Sequence, residues 1–201
     1  DKREETAELI IDAGRLMTGM LNDLLDHSKM EAGAMQLESR DFELNDFVRG
    51  AARFWSAPAA EKGLTLQVAG AEGDPVWLRG DPYRLRQVVN NLVSNAIKFT
   101  PSGTIRLEAS DPADAGRHGL TLTVVDQGAG ISPEAMSRLF SPFAQGSAEV
   151  ARTYGGTGLG LTVSRELARL MGGDLTAASV EGQGAAFILR VDLCAGQPTQ
   201  A

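Results

Sequence analysis

The chain has 201 residues, 43% of them apolar, and a formal net charge of −7. That length gives one ordinary domain plus an extra element, and that apolar fraction excludes wholesale disorder. The acidity excludes a broad nucleic-acid-binding face but leaves room for the local positive site that a phosphate ligand needs. Cys194 is the single cysteine, so no internal disulfide forms. With His27 and His118 it falls short of a zinc site, and it reads as a small side chain near the end of a strand. No apolar run approaches the ~18 residues of a membrane span, and no signal peptide is visible. The expectation is a soluble, cytoplasmic segment with no membrane contact of its own; a longer protein containing it can still be membrane-anchored elsewhere.

Residues 1–32 read as one long amphipathic helix. Ile10, Ala13, Met17, Met20 and Leu24 step by three and four, and Leu9, Leu16, Leu21 and Leu25 widen the stripe. Gly14 and Gly19 weaken it by roughly 1 kcal/mol each relative to alanine. So wide a stripe calls for a partner helix, from this chain or another; the alternative is simple packing on the following domain. Gly33 ends the helix. A second helix is expected over 44–62, with Pro58 as a kink, then a strand over 64–68 and a short one over 76–78. Asp81 caps a helix over 82–99, with Pro82 at its first position. Strands follow over 104–109 and 120–125. The stretch 126–157 is irregular apart from a short helix near 133–139, and its length suggests a functional lid over 131–157. A helix over 161–171 stops at Gly172-Gly173, and strands over 175–179 and 185–193 form a hairpin. From 195 the tail reads as frayed. This order predicts an α+β sandwich, with helices on one face of a mixed, mostly antiparallel sheet.

Three segments carry candidate chemistry. In the 82–99 helix, Asn91, Asn95 and Lys98 lie at i, i+4 and i+7 and share a face. Amide oxygens there can ligate Mg²⁺ while the ammonium meets a phosphate; a merely solvated face is the alternative. In Val124-Val-Asp-Gln-Gly-Ala-Gly-Ile, a strand ends in Asp126, followed by Gly128, Gly130 and Ile131. A carboxylate there can accept from the exocyclic amine of adenine, with glycine backbone passing under the base; an ordinary Asp-x-Gly turn is the alternative. In Tyr154-Gly-Gly-Thr-Gly-Leu-Gly-Leu, four glycines open a helix whose free N–H groups suit a phosphate. Phe140-Ser-Pro-Phe143 and Arg152 precede it, and the two phenylalanines either pin a mobile lid or belong to the core.

In this order the segments resemble the sensor histidine kinases, and more widely the ATPases that include Hsp90, gyrase B and MutL. Asn91-Leu-Val-Ser-Asn95-Ala-Ile-Lys98-Phe99-Thr is similar to the kinase N box. Asp126-Gln-Gly128-Ala-Gly130 is similar to the first glycine box, and Phe140-Ser-Pro-Phe143 to the F box. Gly156-Thr157-Gly158-Leu159-Gly160-Leu161 is similar to the second glycine box. Leu24-Leu-Asp-His-Ser-Lys-Met-Glu-Ala-Gly33 resembles the end of the second dimerization helix, in the form usual for hybrid kinases. The resemblance implies a Bergerat-type α/β sandwich over 41–194, a partial dimerization region over 1–40 and a disordered tail over 195–201. It implies ATP and Mg²⁺ as cofactors. Asp126 would hold the adenine amine, Asn91 and Asn95 the metal, and Lys98 and the 156–160 backbone the phosphates. Phe99 would lie against base or ribose, Arg152 near the γ-phosphate, and Ile131, Phe143, Leu159 and Leu161 would complete the nucleotide site.

The family's phosphoacceptor is a histidine on the first dimerization helix, followed by an acid, a basic residue and Thr-Pro. This chain contains no such segment, and neither His27 nor His118 stands in that context. The expectation is therefore half of a dimerization hairpin with a complete ATP-binding domain, a protein-histidine kinase part that does not phosphorylate itself. Implied partners are a response-regulator receiver domain and, through the completed hairpin, a second copy. Two alternatives are a nucleotide-sensing pseudokinase or docking module, and an ATPase like MutL or Hsp90. The latter needs a glutamate base where Gln87 stands, four residues before Asn91.

Overall fold

The computed structural model describes residues 2–111, 113–114, 117–144 and 158–198. Helix α1 (Lys2–Glu31) is followed by strand β1 (Arg40–Glu43), helix α2 (Leu44–Glu61), strands β2 (Leu64–Ala69) and β3 (Trp77–Gly80), and helix α3 (Pro82–Phe99). Then come β4 (Gly103–Ser110), β5 (Ala113–Asp114), β6 (Arg117–Val125), the short helix α4 (Pro133–Arg138), helix α5 (Gly160–Leu170), β7 (Asp174–Ser179) and β8 (Ala185–Ala195). The strands form one sheet in the order β1-β3-β8-β6-β4-β2, with β5 paired to β6 and β7 to β8. Only β2 and β4 run parallel; the remaining pairs are antiparallel.

Period-2 burial shows why this is a two-layer sandwich. Ile105, Leu107 and Ala109 of β4 are buried, as are Leu120, Leu122 and Val124 of β6 and Phe187, Leu189, Val191 and Leu193 of β8. Their neighbours along each strand are more exposed, so one sheet face is covered and the other is solvated. The covering layer supplies Phe47, Val48 and Ala51 from α2, Leu85, Val88, Val89, Leu92, Val93 and Ala96 from α3, and Val163, Leu167 and Ala168 from α5.

Helix ends are set by local chemistry. Asp81 Oδ1 accepts from Arg84 N at 3.0 Å, and Pro82 opens α3. The Asp81 carboxylate also takes Glu38 N–H on Oδ2 at 2.8 Å, which ties the α1–β1 linker to α3. Glu43 caps α2 by accepting from Asn45 N and Asp46 N. α2 runs through Pro58 to Glu61.

The structure departs from the sequence expectation at β1 and at the tail. β1 was not anticipated; its four residues pair with β3, and so short an edge strand carries little periodicity of its own. β8 extends to Ala195, and beyond it Gly196 N donates to Trp77 O and Gln197 N to Asp41 Oδ1, so the tail is anchored to the sheet through residue 197. The α1 stripe is exposed, as a stripe awaiting a partner helix would be, and not packed on the domain: Ile10 is 67% exposed, Met17 63% and Leu24 48%.

Candidate nucleotide site

Two of the candidate segments lie against the α3 segment: Gly160 reaches Asn91, and Gly128 reaches the carbonyl end of the helix at Phe99. Asn91 and Asn95 are half-buried on α3, and Asn91 Nδ2 donates to Ser164 Oγ of α5 at 2.9 Å. Asn95 Nδ2 lies 3.4 Å from Asn91 Oδ1, a long bond. A methyl group at Gly160 would stand 2.6 Å from Asn91 Oδ1, so a side chain there would displace the Asn91 amide. Ser164 was missed from sequence; its signal was its place four residues after Gly160, on the same helix face.

Asp126 directly follows β6 and is 7% exposed. Its Oδ1 accepts from Gly128 N at 2.8 Å and its backbone N–H donates to Ala185 O at 2.9 Å. Burial raises the pKa of the carboxyl above its ordinary value, against the lowering effect of the Gly128 and Ala185 backbones bonding to the carboxyl itself. A methyl group on Gly128 would stand 2.6 Å from Phe99 O, which joins the Asp126 loop to the end of α3. Gly130 has φ +71 and packs against the Val180 carbonyl. Ile131 is half-buried, and its N–H donates to Ser179 Oγ at 2.9 Å.

Lys98 closes the α3 stripe. Burial lowers its pKa, and its ammonium lies 4.9 Å from the centroid of the Phe99 ring, which is 40% exposed. Lys62 Nζ donates to Ile97 O at 2.6 Å and Lys98 O at 2.8 Å, completing the carbonyl end of α3. This contact was not anticipated, because the partners are 35 and 36 residues apart.

α5 begins at Gly160 after Leu159, whose side chain makes no capping hydrogen bond. Leu159 is buried, Leu161 half-buried, and Gly158 sits at φ +69 against the Phe143 backbone. Phe143 itself adopts φ +59 and is 66% exposed, whereas Phe140 packs on the core beneath the Arg165 guanidinium. The two phenylalanines thus divide between surface and core. Arg152, Gly156 and Thr157, with residues 145–157 of the expected lid, lie outside the described residues.

Among the described residues no group of three His, Cys, Asp or Glu side chains could hold a metal. The oxygens available on the α3 face are those of the half-buried amides Asn91 and Asn95. That set fits Mg²⁺, a hard cation that binds few protein oxygens and completes its shell with water and substrate phosphates.

A two-layer sandwich with a buried strand-end carboxylate, a polar helix stripe and a glycine-opened helix defines a nucleotide-binding α+β domain. The chain belongs to the histidine kinase-, DNA gyrase B- and HSP90-like ATPase family, whose match covers residues 80–195. It is similar to Histidine kinase 5 of Arabidopsis thaliana, 38% identical over 92% of this chain and 22% of that protein. It is similar to Sensor protein GacS of Pseudomonas syringae pv. syringae, 38% identical over 88% of this chain and 20% of that protein. Among solved structures, full-length ShkA in complex with AMPPNP has a TM-score of 0.79 and 29% identity over 100% of this chain and 41% of that one. The chain therefore spans about a fifth of the length of these curated relatives. Among the described residues no helix is long and apolar enough to cross a membrane.

Proposed function

We propose that this chain is the ATP- and Mg²⁺-binding catalytic part of a two-component sensor histidine kinase. The observation that carries the reading is the convergence of the three segments: Gly160 against Asn91 at one end, Gly128 against the Phe99 carbonyl at the other. The Asp126 carboxylate accepts from the adenine amine, and Gly128, Gly130 and Ile131 shape the base pocket. Phe99 lies against base or ribose. Asn91 and Asn95 offer amide oxygens to Mg²⁺, which supplies charge neutralisation between the phosphates when bound. Lys98 and the N–H groups at the start of α5 meet phosphate oxygens, with Thr157, Arg152 and Phe143 contributed from the segment before it.

Phosphoryl transfer asks for position and charge stabilisation more than for covalent work. The bond from the β–γ bridging oxygen to the γ-phosphorus breaks as an imidazole nitrogen bonds to that phosphorus, and ADP leaves. The imidazole comes from a helix packed beside α1, in the same or a partner subunit. The phosphohistidine then passes its phosphoryl group to an aspartate of a receiver domain. Similarity to Hybrid signal transduction histidine kinase B of Dictyostelium discoideum, 38% identical over 87% of this chain and 9% of that protein, supports such a relay. The exposed Ile10, Met17 and Leu24 stripe supports dimerization through a completed hairpin.

Direct ATP hydrolysis is disfavoured by Gln87. A neutral amide is a poor base, and here it is engaged at both ends, by Asp26 and by Arg84. The test is calorimetric titration of the chain with MgADP and MgATP, followed by phosphate release and label transfer to a separately supplied acceptor-helix fragment. Binding with transfer supports the kinase reading. Binding with rapid phosphate release in the absence of acceptor marks an ATPase, and no nucleotide binding overturns both.

A further inference from the structure

α1 exposes its apolar stripe, yet one of its acids is buried. Asp26, in the last two turns, is 8% exposed. Its Oδ2 accepts from Arg84 Nη1 at 2.9 Å and from Gln87 Nε2 at 2.8 Å. Arg84 Nη1 also donates to Gln87 Oε1 at 2.8 Å, which closes a triangle. The Arg84 and Asp26 side chains are 17% and 12% exposed, so the pair is largely removed from water. The same corner carries a second tie, the linker N–H of Glu38 on Asp81.

Buried ion pairs are weak contributors to net stability, because desolvation offsets attraction, but they are demanding about geometry. A triangle with two donors on one carboxylate oxygen has fewer acceptable arrangements than an apolar contact of equal area. It also grips α3 at a particular place. Gln87 lies at i−4 from Asn91 and i−8 from Asn95, so it extends the stripe that faces the nucleotide.

We propose that Asp26 is a positioning residue. Through Arg84 and Gln87 it fixes the angle between α1 and α3, and with it the direction from which a helix packed along α1 reaches the nucleotide site. The geometry stands on the contacts alone; its meaning for phosphoryl transfer rests on the kinase reading.

The experiment measures that angle directly. Spin labels are placed through Thr18→Cys on α1 and Glu181→Cys in the β7–β8 turn, with Cys194→Ser, and labelled protein is diluted with unlabelled chain. Dipolar distances are recorded for the parent, Asp26→Asn, Arg84→Gln and the double variant. The expected result is one narrow distribution in the parent and a distribution at least about twice as wide in each single variant. The double variant is no wider than the singles, the non-additivity of residues acting as one unit. MgADP affinity stays within about twofold in all of them, since none of these side chains is assigned to the ligand.

Unchanged widths in both single variants overturn the proposal. So does loss of cooperative melting in either, which makes the pair a folding element, and so does a tenfold loss of MgADP affinity at unchanged width. Failure of the parent to bind MgADP overturns the nucleotide reading instead, and leaves the distance result interpretable.

Discussion

Asp126 is a carboxylate held where carboxylates are costly. Burial raises its pKa, and a partner that donates to it lowers that cost. Asp126→Asn replaces one acceptor oxygen by a donor facing the ligand amine. Adenine nucleotide affinity should fall by about 1.5–3 kcal/mol, with a much smaller change in unfolding free energy, both read by calorimetry. Equal affinities would remove Asp126 from the site. Asn95→Ala tests the metal at the same scale. Phosphoryl transfer to an acceptor helix should be lost with the fold intact, while adenosine, which has no phosphate to bridge, should bind as before.

Asp174 provides a check on the electrostatics away from the site. The Arg165 guanidinium donates to both of its oxygens and holds its pKa at about 2 instead of 3.8. A folded-state pKa below the unfolded one stabilises the fold above the unfolded value, and that stabilisation is lost as pH falls from about 3.8 to about 2. The Asp174 side chain is 38% exposed, so solvent screening limits the effect to about 1 kcal/mol or less. Asp174→Asn should lower stability slightly at neutral pH and leave it unchanged near pH 2, as followed by urea titration at each pH. A constant difference across that range would deny the pair this role.

At the scale of the element, the turn between β7 and β8 separates two costs of a side chain. Gly182 has φ +80 with open space around it, whereas Gly184 has φ +91 and would place a methyl group 2.1 Å from the Asp126 carbonyl oxygen. Gly182→Ala should therefore cost only the left-handed backbone penalty, about 1–2 kcal/mol. Gly184→Ala should cost more and should also weaken nucleotide binding, because the backbone it displaces is that of Asp126. Thermal melts with and without MgADP distinguish the two. Equal losses would mean that the turn moves independently of the site.

At the scale of the molecule, the chain combines a nucleotide domain with a helix whose apolar face is uncovered. It should bind MgATP without retaining label from the γ-phosphate, because neither histidine stands in an acceptor context. His27 lies on α1 with its side chain 14% exposed and its Nδ1 3.8 Å from Glu31 Oε2. Acid-labile, base-stable label on His27 would overturn this view. Supplying the partnering helix with its histidine should restore the reaction and bury Ile10, Met17 and Leu24 in a four-helix dimer.

Sequence by itself determined the class and most of the frame. Asp81 and Pro82 marked the start of α3 because capping is a local interaction of neighbouring residues. Alternation of apolar residues marked β4, β6 and β8, because a strand with one buried face repeats every second residue. The glycine and asparagine spacings named the candidate site for the same local reason. Tertiary structure decided what lies between distant positions. β1 exists because β3 offers it an edge, the tail is anchored because Trp77 and Asp41 accept its N–H groups, and Asn91 is oriented by Ser164, 73 residues away. The Asp26–Arg84–Gln87 triangle spans 58 and 61 residues, and no period or motif reports it. Local rules encode helices, caps and turns because their partners are a few residues apart; the contacts that orient the site depend on which surfaces the packed layers bring together.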